Sequence, residues 1–440
     1  MLLREFLAVK YIVEVGDVSG FRIQSQDRQL FMPDSFFSQP ETEWLGFKTL
    51  PCQPLKLFKS ACNEKDVKLP KAGMPIIYGE DSLDVSAQKI QLGLDIFGSS
   101  FYMLSRYEEA VKDVRDTFDR FPANASLAHQ EGFLDRPIVN EYLEILWAMM
   151  KRLWPGLKRK KRSFCVHVSC DVDVPYSPGV KSVKRLIRQV GGNLILRRNP
   201  IQAFRTCLNS LCFKMGKYAY DPFLAKLKWI MQVNEQFGNR VAFYFMADHK
   251  DESFDGCYSL EEPIIQELMR SVASRGHEVG LHASYKTYLD REQTCKEAEK
   301  LRNAMCNIGI RQDSIGGRQH FLRWSTPETA RNLEEAELFY DSTLSFADHA
   351  GFRCGVCYEY PMYDVVQHRV VNLRERPLLV MEKSVFTKAY MGCSYGEDGL
   401  NVFNGLKQKC YRYDGDFTVL WHNNQFPNRQ AMEFYEAIIQ

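Results

Sequence analysis

Val168-Ser169-Cys170-Asp171-Val172-Asp173-Val174, in mid-chain, decides how the rest of the sequence is read. An apolar run (Phe164, Val166, Val168) leads into it, and two carboxylates two residues apart close it. On a strand, period-2 alternation sets Asp171 and Asp173 on one face at the C-terminal end. Barrels and open α/β sheets hold their catalytic groups there. One carboxylate of such a pair can hold a metal while its neighbour takes a proton. Two solvent-facing aspartates in a strand-to-loop turn would leave the same trace.

The flanking patterns choose a fold class. Downstream, strands are expected at 164–168, 240–245, 278–281, 314–316 and 418–421. Helices are expected at 224–237, 263–275, 291–307 and 327–336. Strands alternating with helices of ten to fifteen residues argue for a parallel α/β fold, and the length suits a barrel. Upstream, residues 1 to about 80 read as short strands and turns, punctuated at Pro51, Pro54, Pro70 and Gly73-Met74-Pro75. Helical spacing follows over 84–113 and 137–153. Pro155-Gly156 and the cationic run Lys158-Arg159-Lys160-Lys161-Arg162 mark a boundary. The expected organisation is an N-terminal accessory α+β domain over 1–160 and an α/β domain over 161–440.

Composition excludes several classes. The 440 residues carry a net charge of +2 with 45% hydrophobic and 25% charged residues, ordinary for a soluble enzyme and no case for nucleic acid. Thirteen cysteines are an odd number at irregular spacing, and Cys354/Cys357 is a CxxC without a second pair. Reduced, buried thiols in a cytosolic protein are the expectation. Arg4, Glu5, Lys10 and Glu14 interrupt any signal-peptide core, and the longest uncharged apolar stretches, such as 241–247, are strand-sized. The chain is expected to be cytoplasmic. One segment departs from this even composition: 174–220 holds nine lysines and arginines and no acid, with Leu194, Ile195, Leu196, Phe204 and Leu211 among them. Such a basic insertion suits an anionic membrane surface (a peripheral contact at the inner face), a phosphorylated carrier substrate, or a helical excursion into water.

Four further patches carry polar chemistry: Arg275-Gly276-His277-Glu278-Val279-Gly280-Leu281-His282; Gly316-Gly317-Arg318-Gln319-His320-Phe321-Leu322-Arg323-Trp324; Tyr340-Asp341-Ser342-Thr343-Leu344 with Gly351-Phe352-Arg353; and Leu420-Trp421-His422-Asn423-Asn424. A histidine at a strand end can offer one ring nitrogen to a metal while the other is fixed by an acceptor behind it. An arginine beside a carboxylate lowers its pKa and orients it. In this order, with the acidic pair, the patches resemble the NodB-type polysaccharide deacetylase family (carbohydrate esterase family 4). They are most similar to the subset with an extra N-terminal domain found among bacterial surface-polysaccharide genes. Asp95-Ile96-Phe97, Phe101-Tyr102-Met103-Leu104-Ser105-Arg106-Tyr107-Glu108-Glu109 and Arg120-Phe121-Pro122 extend the resemblance into the N-terminal half.

The resemblance implies a distorted (β/α) barrel and metal-dependent removal of an acetyl group, N-acetyl above all, from a sugar. Carried over residue by residue, it makes Asp171 the base, Asp173 and His282 ligands of a divalent metal such as Zn2+, Arg318 the partner of Asp171, and His422 the acid. The family's second metal histidine falls at Lys286, and an ammonium cannot ligate a metal. His320 is the leading substitute ligand, ahead of His277 and His249. Arg323, Trp324, Asp341 and Arg353 are expected to contact the acetylated sugar, read as nucleotide-linked or lipid-carrier-linked because no secretion signal is visible. A different class of reading keeps the barrel as a non-catalytic carbohydrate binder without a metal, with Lys286 in its favour. A glycosidase is the weaker third, since no second acid is placed.

Overall fold

The computed structural model describes residues 1–16, 19–61 and 73–440, so Pro70 lies outside the described residues. The second half is built on eight parallel strands: β1 (Cys165–Val172), β2 (Val241–Met246), β3 (Glu278–Ala283), β4 (Gly316–Gln319), β5 (Tyr340–Asp341), β6 (Arg369–Glu375), β7 (Val380–Met381) and β8 (Asp416–Leu420). Their lateral order is β6-β5-β4-β3-β2-β1-β8-β7. That is the cyclic order of an eight-stranded (β/α) barrel with one link, β6 to β7, left unpaired. Strand Tyr360–Asp364 instead pairs antiparallel with β6 at that opening. The fold is α/β, a distorted barrel, with a second sheet in the N-terminal half.

β1 shows why the opening stretch carries this information. Val168, Cys170 and Val172 are buried on its outer side, while Ser169 and Asp171 lie on the alternate face. The strand was expected to stop at 168; it continues to Val172, paired with β2 from Val168 to Val172. A carboxylate can end a buried strand when a cation meets it, and Arg318 does so here. β4 likewise runs Gly316–Gln319 rather than 314–316, which brings Arg318 inside the ladder, opposite His282 of β3.

The N-terminal half holds a four-stranded sheet in the order Phe21–Ser25, Arg28–Met32, Lys89–Leu94, Gly79–Val85, covered by helix Ile138–Leu153. The helix expected over 84–113 is corrected. Residues up to Leu94 are strand, and a helix begins only at Ile96. The cause is Asp95, fully buried, whose carboxylate accepts from Gly98 N at 2.7 Å and from Ser35 N and Phe36 N at 2.9 and 3.0 Å. It caps the helix and ties it to a distant loop.

The two halves share one continuous apolar core. Polar bonds cross between them as well: Val139 N donates to Gly355 O, Tyr360 OH to Leu104 O, and Cys357 N to Asn140 Oδ1. At the centre Glu109 lies between Arg106 and Arg353, all three side chains 2% exposed.

Candidate active site

Six side chains, Asp171, Asp173, His282, Arg318, His320 and His422, converge at the strands' C-terminal ends. Arg318 Nη1 donates to Asp171 Oδ1 and to Ser169 Oγ, both at 2.8 Å, and its Nε donates to Ser342 O at 2.8 Å. Its guanidinium rests 4.8 Å from the centroid of the Tyr244 ring. Tyr244 and Tyr340 fill the barrel below it, with hydroxyls 3.0 Å apart. Glycine is required opposite both rings: a Cβ at Gly316 would fall 2.0 Å from Tyr340, and one at Gly280 2.6 Å from Tyr244. Burial pushes the Asp171 carboxyl up, but Arg318, then His282 and His422, outweigh it and hold its pKa below the ordinary value.

His282 turns its Nδ1 to the carbonyl of Arg318 at 3.0 Å, which fixes the proton on that nitrogen. Its Nε2 then faces Asp173 Oδ1 at 3.1 Å, an oxygen buried without a hydrogen-bond donor. A lone pair facing a carboxylate oxygen is stable only with a cation between them, a proton or a metal ion. The local field favours one. Burial pulls the His282 pKa down, yet Asp171 and Asp173 reverse the shift and raise it.

His320 comes in from the other side. Its Nδ1 lies 3.1 Å from Asp255 Oδ1 and its Nε2 3.9 Å from Asp173 Oδ1. Burial lowers its pKa despite Asp255, so the ring is held neutral, as a ligand imidazole must be. Phe321 and Leu322, at φ 61° and 56°, make the tight left-handed turn that follows His320. Ligand atoms of Asp173, His282 and His320 all lie within 4.8 Å of one another. Two imidazoles backed by acceptors and one carboxylate with an orphaned oxygen fit a divalent ion of the zinc class.

Lys286 does not enter this group. Its exposed ammonium pairs with Asp251 at 3.1 Å. His277 sits at the opposite end of β3, accepting from Val241 N at 3.1 Å with Nε2 3.2 Å from Glu235. His249 is engaged with the Tyr258 carbonyl. His422, after β8, places Nε2 3.6 Å from Asp173 Oδ2 and 3.9 Å from Asp171 Oδ2, with Nδ1 2.6 Å from Glu382 Oε1.

A family of unknown function (DUF7033) matches residues 1–155. No curated protein matches the chain. Similar solved structures include a putative polysaccharide deacetylase from Mycobacterium smegmatis, 16% identical with a TM-score of 0.38, covering 65% of this chain and 84% of that one. A probable polysaccharide deacetylase from Pseudomonas aeruginosa PAO1 is 13% identical with a TM-score of 0.38, covering 72% and 90%. A Puue allantoinase is 12% identical with a TM-score of 0.38, covering 65% and 85%. At these values no residue role passes from them to this chain.

Each of the four residues expected to contact a sugar also has a protein partner, and Arg323 keeps its Nε without one among the described residues. Arg323 is stacked over Tyr285 and Tyr288, donates to Tyr285 O at 2.7 Å and reaches Asp119 at 3.3 Å. Trp324 is buried and donates its Nε1–H to Thr326 Oγ1 at 2.9 Å. Asp341 is fully buried and accepts from Thr343 N and Oγ1 at 2.8 and 2.7 Å. Arg353 forks onto Glu109 at 2.8 and 2.7 Å.

Two residues escaped sequence reasoning. Glu382 ends the apolar run Leu378-Leu379-Val380-Met381, the same signal that marks Asp171. Asp255 lies in a polar loop with no signal at all. The site's rim was also missed, since Phe118, from the N-terminal half, packs on Phe254 and Phe321 at 6.1 and 5.2 Å. Phe254 is partly exposed and stacks on Tyr285 at 4.3 Å.

Proposed function

We propose that this chain is a metal-dependent deacetylase that removes an acetyl group, N-acetyl foremost, from a sugar of a bacterial surface polysaccharide or its precursor. A cytoplasmic precursor, nucleotide- or lipid-carrier-linked, goes with this reading. The observation that carries it is the pairing of a ligand set (Asp173, His282, His320) with a separate, arginine-held carboxylate and a carboxylate-held histidine on the same mouth. Asp173, His282 and His320 would hold a divalent ion, Zn2+ by donor type, which would supply Lewis-acid polarisation of an acetyl carbonyl and of an attacking water.

The chain's own groups then have distinct duties. Arg318 occupies Asp171 Oδ1, so Oδ2 is the oxygen left to take the water's proton. The anionic form of Asp171, favoured by Arg318, is the form a base requires. Glu382 fixes Nδ1 of His422 as the protonated nitrogen, which leaves Nε2 to carry a proton to the departing amine. Acetate and the free amine result. The further carboxylates Asp255 and Glu382 stand behind histidines, which counts against a glycosidase that would need one of them as its second acid.

Metal analysis joined to acetate release tests this. Purified protein should retain a stoichiometric divalent ion, as should Lys286→Ala and Asp171→Asn. Asp173→Ala, His282→Ala and His320→Ala should each lose it. Acetate release from N-acetylated oligosaccharides should vanish in Asp171→Asn with the metal still in place. Failure to retain metal under any loading condition sinks the proposal; metal without turnover on any acetylated sugar assigns the barrel to binding.

A further inference from the structure

The basic insertion folds into a helical hairpin: Val183–Gly191, a tight turn of helix at Gly192–Leu196, and Pro200–Lys214. Its second helix is turned inside out. Ile201, Phe204, Leu208, Leu211 and Met215 recur at intervals of three and four, a single stripe, and they are 67, 67, 41, 59 and 62% exposed. The face toward the protein carries Ala203, Asn209, Ser210 and Phe213 instead. Asn209 is held there by Asp221 at 2.9 Å. At the tip Leu194, Ile195 and Leu196 are 48, 76 and 84% exposed, and Arg197-Arg198 follow at once. A monomeric soluble surface does not leave so continuous an apolar stripe to water.

The charge around the stripe is of one sign. Nine cations and no acid lie in 174–220, and among the described residues only Lys181 meets a carboxylate, that of Glu262. Arg188, Arg198, Arg205, Lys214 and Lys217 have no anionic partner among the described residues. A protein partner with an apolar groove would satisfy the stripe but leave these cations without counter-charge. An interface of acyl chains beneath anionic headgroups satisfies both.

The hairpin's position gives the feature a use. The segment that leads into it follows Asp173 at the end of β1, with Val174 O accepting from Asn423 Nδ2 at 3.0 Å, and Arg185 of its first helix touches Cys257 in the loop whose Asp255 backs His320. Its base therefore borders the mouth of the candidate site. We propose that this hairpin docks the protein on an anionic lipid bilayer, with Leu194-Ile195-Leu196 and the Ile201–Met215 stripe in the interface and the arginines at the headgroups. The docking stands without the deacetylase reading; with it, the substrate class narrows to a sugar held at the membrane surface.

Vesicle flotation tests it with full-length protein. Protein should float with phosphatidylcholine vesicles containing roughly one-third phosphatidylglycerol and stay behind with pure phosphatidylcholine, and added salt should release it. Two variants attack exposed residues only: Leu194→Ser/Ile195→Ser/Leu196→Ser, and Arg188→Glu/Arg198→Glu/Arg205→Glu. Each should keep the wild-type melting profile and metal content, and the charge variant should weaken partitioning by about fivefold or more per reversal. No flotation on anionic vesicles, or flotation that both variants leave intact, overturns the proposal. A dimer in solution that the serine variant dissolves overturns it in favour of a second copy on the stripe.

Discussion

Glu109 offers the sharpest test of how the N-terminal half serves the barrel. It receives Arg106 Nε and Nη2 at 3.0 and 2.9 Å and Arg353 Nε and Nη2 at 2.8 and 2.7 Å. Burial pushes its carboxyl up, but Arg353 and then Arg106 outweigh it and hold the pKa at about 2, against an ordinary 4.5. That difference corresponds to about 3 kcal/mol favouring the ionised form in the fold. Glu109→Gln keeps the shape and deletes the charge, leaving two buried guanidiniums facing each other, so the loss should be about 3–5 kcal/mol. The sign with pH is fixed as well. A lowered carboxyl pKa contributes stability in full above 4.5 and loses it as pH falls toward 2. Wild type should therefore lose this margin between those values, and Glu109→Gln should not. Urea unfolding followed through the tryptophans, with Trp44 in one half and Trp421 in the other, reads both effects. Wild-type protein should unfold both halves together because they share one core. A Glu109→Gln protein within about 0.5 kcal/mol of wild type would refute the argument, because so small a loss is typical of a surface site.

Three other outcomes follow from the same geometry. Glu297, buried with Ser284 and Gln293 as its partners, has a carboxyl pushed up to about 7 chiefly by burial, so its stabilising effect is complete below 4.5 and gone above about 7. Glu297→Gln should then raise stability at pH 8 by up to about 3 kcal/mol and flatten the pH profile of thermal unfolding, while an unchanged profile would contradict the assignment. Glu382→Gln should leave metal content intact and cut kcat by about 10²–10⁴-fold, because the amide no longer fixes the His422 tautomer; unaltered turnover would remove His422 from proton transfer. Phe254→Ala, at the exposed edge of the aromatic rim, should lower kcat/KM by about 2- to 10-fold through KM, and an effect on kcat alone would place the ring elsewhere in the reaction.

The parts of the fold legible in the sequence are those set by local rules. Period-2 alternation marked β1, and helical spacing marked 137–153 and 291–307. The misreading of 84–113 has a physical cause: Ile90, Leu92 and Leu94 alternate as a strand, but the helix beyond Asp95 continues the apolar run without a break. Only the long-range bonds from Ser35 and Phe36 to Asp95 reveal the boundary. The site divides the same way. Asp171, Asp173, His282, Arg318 and His422 stand at strand ends, where pattern and position coincide. Arg323, Asp341 and Arg353, expected at a sugar, engage Asp119, Thr343 and Glu109. Such pairing is set by tertiary contacts and leaves no trace in local spacing.

Lys286, which falls where the resembled family has its second metal histidine, is kept from the candidate ligands by topology. Position 286 lies four residues past His282, beyond the end of β3 at Ala283, where the chain has already turned outward toward Asp251. His320 lies one residue past the end of β4, the strand paired beside β3. An imidazole there approaches Asp173 from the neighbouring strand end, and the rings of His282 and His320 meet edge to face at 4.9 Å. Each of the three site histidines also turns its Nδ1 away from the centre, toward Arg318 O, Asp255 and Glu382 respectively, so three Nε2 atoms converge on two aspartates. Around that centre four carboxyl groups stand against one guanidinium. In the reading proposed above, a divalent cation held by Asp173, His282 and His320 would compensate part of this negative charge and use the tautomers fixed here.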